Sequence, residues 1–139
     1  MVPETQWSVW ASEVFIIAFL VSMFTPALAG CAGPQARPSY HDGSVRLSIE
    51  APDQAKVTLV IMDQSSSHPV MREYTTTRGP EGHRLAAAKL SPGEYRYFFR
   101  IDDEIVVDPQ APRYEKDDFG GVNGILLVKR TASGSIQIQ

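Results

Sequence analysis

An all-β, antiparallel sandwich of about seven strands is predicted by three features of the chain. Apolar and polar residues alternate with a period of two in several segments after residue 43. Turn signals rich in Pro, Gly and Asp separate those segments at short, fairly regular intervals. No convincing helix pattern interrupts them. At 139 residues, 43% of them hydrophobic, the chain is long enough for one domain with its own core and too short for a multidomain enzyme. Its 13 Lys and Arg against 16 Asp and Glu give a net charge of −3, and neither sign forms a block, which argues against nucleic acid as a partner. A single cysteine leaves no intramolecular disulfide framework, and no Cys/His cluster has zinc-ligand spacing.

The domain is expected to span residues 44–130. Val45, Leu47 and Ile49 alternate with Arg46, Ser48 and Glu50, so the first strand has one buried face. Ala51-Pro52-Asp53-Gln54 reads as a turn. Val57, Leu59 and Ile61 then line one face of a strand whose other face, Thr58, Val60 and Met62, is also largely apolar, the mark of a central strand. A polar loop runs from Asp63 to His68 and Pro69 closes it. Residues 70–77 and 83–90 read as strands around the turn 78–82. After Ser91-Pro92-Gly93, the aromatic set Tyr95, Tyr97, Phe99 and Ile101 points one way, and Arg96, Phe98, Arg100 and Asp102 the other. Asp102-Asp103-Glu104 is a tight hairpin turn into Ile105-Val106-Val107, which Asp108-Pro109 ends. Residues 110–121 read as a polar loop, 122–130 as the closing strand, and 131–139 as a partly frayed tail.

The amino-terminal part differs in kind. All 13 basic residues lie at or after Arg37. Val14 to Phe24 form an eleven-residue apolar run broken only by Ser22, which suits a secretory signal and is short for a membrane span of ~20 residues. Leu28-Ala29-Gly30-Cys31 follows and resembles the bacterial lipobox. That resemblance implies a signal peptide over 1–30 and a diacylglycerol-bearing thioether on Cys31, and Ala32 after it implies an outer-membrane address facing the periplasm. The alternative is that Cys31 is an ordinary small residue ending a membrane helix from Val14 to Gly33. Residues 31–43, with their Pro, Gly and polar side chains, read as the lipidated cysteine and an extended tether.

Residues 92–129 carry a recognisable order of features: Pro92-Gly93, the aromatic strand Tyr95 to Phe99, Asp102 at the hairpin, Asp108-Pro109, and Gly120-Gly121-Val122-Asn123 before the last strand. With the entry strands from Val45 to Met62, they resemble the glycogen-binding domain of the AMP-activated protein kinase beta subunit. This is carbohydrate-binding module family 48, an early-set immunoglobulin-like sandwich. The resemblance implies a sugar site built on two tryptophans, a lysine and an asparagine. Here the tryptophan positions fall near Ser66 and at Ile105, the lysine position is Phe98, and Asn123 alone is retained. The two tryptophans present, Trp7 and Trp10, lie in the signal segment. A stacking ring contributes on the order of 1 kcal/mol beyond its buried area, so glucan affinity should be weak. Candidate glycan contacts are Asn123 with Phe98, Tyr74 or Tyr114 as substitute platforms.

No catalytic residue, metal ligand or cofactor motif is picked out. Asp102, Asp103 and Glu104 are adjacent in a turn and point apart, unlike the paired carboxylates of glycoside hydrolysis. Asp117-Asp118 read as a solvated loop with weak calcium binding as an alternative, His41, His68 and His83 as isolated surface residues, and Ser65 to Ser67 as a loop without elbow glycines. The chain is therefore expected to be a non-catalytic binding module, or a scaffold for an envelope protein.

Overall fold

A computed structural model describes residues 35–65 and 67–139, all within one unit, Ala32–Gln139. The predicted signal peptide and Cys31 lie outside the described residues. Among the described residues, eleven strands form two antiparallel sheets. The four-stranded sheet runs β1 (Ser39–His41), β2 (Ser44–Glu50), β6 (His83–Ala88), β5 (Thr77–Arg78). The larger sheet runs β11 (Ile136–Ile138), β10 (Val122–Arg130), β7 (Gly93–Ile101), β3 (Val57–Asp63), β4 (Val70–Thr75), with β8 (Glu104–Val106) beside β7 and β9 (Arg113–Lys116) beside β10. The expected all-β, immunoglobulin-like sandwich is what the chain forms.

The period-two alternation builds the core as expected. Val45, Leu47 and Ile49 of β2 with Ala86 and Ala88 of β6 face Val57, Leu59 and Ile61 of β3, Tyr95, Tyr97 and Phe99 of β7, and Leu126 and Val128 of β10. The small alanines of one sheet leave room for the three rings of the other. Val60 is also fully buried, as its central strand and two-sided apolar pattern require. Gly124 lies in β10 directly opposite Tyr97, and a Cβ there would fall 2.8 Å from the Tyr97 ring, so only glycine lets the strand lie against it. The Tyr95 hydroxyl donates to the Ser91 carbonyl at 2.8 Å, four residues upstream, a bond of the tyrosine-corner kind found in immunoglobulin-like sandwiches. Burial pushes this phenol above its ordinary pKa.

Four expectations are corrected. The tether contains β1, paired along β2, and Gln35 is bonded into the domain. The loop 110–121 contains β9. The tail is not frayed, because Ile136 to Ile138 pair with β10 and Leu127 and Gln139 exchange backbone bonds of 2.8 and 3.0 Å. The strand 70–77 is two strands, β4 and β5, in different sheets; the chain crosses between layers at Thr76, whose hydroxyl donates to the Val57 carbonyl at 2.8 Å.

Candidate functional site

The outward face of the larger sheet is where the side chains of β7 that do not enter the core are displayed. Strand parity puts Thr58, Val60 and Met62, then Arg96, Phe98 and Arg100, then Asn123 and Ile125 on this face. Charge neutralises it pairwise. Arg100 meets Glu73 at 2.8 Å, Arg96 meets Glu115 at 2.9 Å, and Arg113 meets Glu94 at 2.8 Å. These cross-strand pairs contribute little stability each, and they roof the apolar residues between them.

The four candidate glycan residues do not come together. Asn123 is on the outward face, yet it is only 6% exposed. It is the second residue of β10 and faces Glu115, whose carboxylate is held by Arg96. Phe98 shares the face and is half-buried, its register partner on β3 being Val60. Tyr74 pairs with Leu59 and Tyr114 with Gly124, both core-side positions, so these two rings belong to the opposite side of the sheet. Tyr74 packs against the core edge. Tyr114 is anchored by its hydroxyl, which donates to the Asp108 carbonyl at 3.1 Å. Ile105, where the resemblance expects a tryptophan, points out beside Arg100 and is 66% exposed. The other tryptophan position, Ser66, lies outside the described residues. The loop leading to it is closed by Asp63, whose carboxylate accepts from the Ser65 N–H at 2.8 Å and hydroxyl at 2.6 Å, and those bonds lower its pKa.

No family model matches the chain, and neither does any curated protein sequence. Solved structures do resemble it. The sandwich matches part of a pullulanase. Against type I pullulanase from Bacillus subtilis str. 168, crystallised with maltose, the TM-score is 0.51 at 21% identity, covering 72% of this chain and 14% of that one. Apo pullulanase from Paenibacillus barengoltzii gives a TM-score of 0.46 at 20% identity, covering 66% of this chain and 14% of that one. The likeness is one of fold, over a small part of a much longer enzyme.

The acidic clusters serve turns. Asp102 takes a positive φ of 53° at the β7–β8 hairpin, accepts from the Lys56 N–H at 2.9 Å and donates its own N–H to the Lys56 carbonyl at 2.7 Å. Asp117 accepts from the N–H groups of Phe119 and Gly121 at 3.0 and 2.7 Å, closing the β9–β10 hairpin. Among the described residues, no group of three or more His, Cys, Asp or Glu could hold a metal ion. The hairpin that Asp117 closes presents a residue that sequence reasoning missed. Phe119 stands at its tip 99% exposed, three residues before β10 begins at Val122. Its only sequence signal is an aromatic residue set before Gly120-Gly121 in a polar loop, where Gly120 takes a φ of +84°.

Proposed function

We propose that the chain is a non-catalytic, lipid-anchored protein of the bacterial envelope. Its sandwich is a carbohydrate-binding-module-type domain, akin to the glycogen-binding domain of the kinase beta subunit, with weak glycan affinity. The observation that carries the reading is the outward face of the larger sheet: Asn123 lies there beside Phe98, but it is only 6% exposed opposite Glu115 of the Arg96–Glu115 pair, and Phe98 is half-buried, so no open flat ring is offered to a sugar face. A neutral hydrogen bond contributes only ~0.5–1.5 kcal/mol net and does not replace stacked rings. Phe119, pre-positioned by the Asp117 turn, is the exposed ring available for one sugar face. Calorimetric titration of the full chain in detergent with maltoheptaose should give binding no tighter than millimolar, and Asn123→Ala should change stability more than affinity. Micromolar binding that disappears in Asn123→Ala would reverse this ranking.

The anchor has its own test. Cys31→Ala should abolish palmitate incorporation and leave an unprocessed precursor, because no other residue can form the thioether; unchanged labelling in that variant removes lipidation from the reading. A second function, an interaction domain without sugar binding, is favoured by the exposed apolar side chains of Ile105 and Phe119 at one end of the sheet. An absence of any glycan response, with an envelope protein crosslinked at position 119, would select it.

A further inference from the structure

On the side of the larger sheet away from Phe98 and Asn123, a concavity of about 470 Å³ lies between the strap before β1, the Asp108–Pro112 loop and β11. That volume is in the range of small-ligand sites and suits one or two sugar rings. Its wall includes Arg37, Pro109, Gln110, Pro112, Tyr114 and Gln139. Three features give it a built character. The strap is fixed, because Gln35 Nε2 donates to the Ser48 carbonyl and to Asp108 Oδ1, each at 2.7 Å, and Ser48 Oγ donates to the Ala36 carbonyl at 3.2 Å. The Tyr114 ring is held by its bond to Asp108, while 48% of the residue stays exposed. The loop beneath is locked by the Ala111 and Gln110 N–H groups, which donate to the Asp108 carbonyl and carboxylate at 3.1 and 2.8 Å.

The side-chain charge of the concavity is one-sided. Arg37 is the sole cationic side chain in its lining, and no Asp or Glu side chain lines it. Asp108 lies below, fully buried, its oxygens committed to Tyr97, Gln35 and Gln110. Among the described residues no carboxylate forms an ion pair with Arg37. A planar guanidinium matches a carboxylate with two parallel bonds, an aromatic ring takes the apolar face of a sugar, and the side-chain amide of Gln110 can take hydroxyls.

We propose that this concavity is a binding site for an acidic saccharide of the uronate class, with the carboxylate on Arg37 and the sugar ring against Tyr114. The site is separate from the outward face, so its ligand does not depend on the weak glucan binding proposed above, and Phe119→Ala serves as the control that leaves it intact. Digalacturonate, maltose and sodium acetate should be titrated into the full chain in detergent, following backbone amide shifts. Digalacturonate should shift the amides of Gln110, Ala111, Arg113 and Tyr114 with at least ten-fold higher affinity than maltose, acetate should not saturate, and added salt should weaken binding. Arg37→Gln should remove the preference for the acid, and Tyr114→Ala should weaken both sugars. Equal affinity for the two disaccharides, saturation by acetate alone, retention of the preference in Arg37→Gln, or no shift at those amides would each overturn the proposal.

Discussion

Phe99→Ala is expected to destabilise the domain by ~3–5 kcal/mol, the range for emptying a buried aromatic site. The ring has no exposed surface and sits in the middle of β7, with Leu59 of β3 on one side and Val106 of β8 on the other. The sheet opposite offers alanines and β-branched or leucine side chains already in contact, so the cavity has little with which to collapse. A loss of that size is a large fraction of the ~5–15 kcal/mol that holds a domain of this kind together. Urea unfolding of the full chain, followed by far-UV circular dichroism, measures it. A loss below ~1 kcal/mol would place Phe99 at the surface and reverse the register of β7, sending Phe98 and the arginines inward.

The register of β7 was legible because one face is aromatic and the other carries Arg96 and Arg100, which leaves a single way to bury the strand. The strands β2, β3 and β10 were legible for the same reason, each having an apolar face that must be covered. By contrast, β1 and β9 are exposed at every position, so no alternation marks them; they form because the edges of β2 and β10 offer unpaired backbone groups. In β11 the pair Ile136 and Ile138 did alternate, but three residues after a Ser/Gly turn are too few to distinguish a strand from a tail. The candidate site failed for a related reason. Whether Tyr74 and Tyr114 join Phe98 depends on which residue each faces across the ladder, and Leu59 and Gly124 are partners that only the assembled sheet reveals. Arg84 is only 9% exposed although charged, because its guanidinium donates to the Pro52, Asp53 and Ala55 carbonyls of the β2–β3 turn, acceptors that only the folded chain brings to it.

Asp108→Ala is expected to cost ~2–4 kcal/mol at neutral pH, because it orphans donors that converge on one buried carboxylate. Tyr97 Oη donates to Oδ2 at 2.8 Å, while Gln35 Nε2 and the Gln110 N–H donate to Oδ1 at 2.7 and 2.8 Å. These bonds tie the strap, β7 and the loop after β8 to one side chain that is 0% exposed. Burial raises the Asp108 pKa above the ordinary carboxyl value of 3.8, against the opposing effect of the three bonds, and burial beside this carboxylate pushes the Tyr97 phenol up as well. The sign follows from linkage: a carboxyl whose folded value is raised stabilises fully below 3.8, and that contribution is lost as pH rises through the folded value. The charged form is thus a standing cost of the fold at neutral pH, tolerated because its oxygens are satisfied. Asp108→Asn separates charge from geometry, since its oxygen can accept from Gln35 and Gln110 while its amide donates to the Tyr97 hydroxyl. It should unfold within about 1 kcal/mol of the parent at neutral pH. Its stability profile should also be flatter than the parent's on the alkaline side of 3.8. Equal losses for Ala and Asn, with unchanged pH profiles, would mean that the carboxylate is solvated and the three donors find other partners.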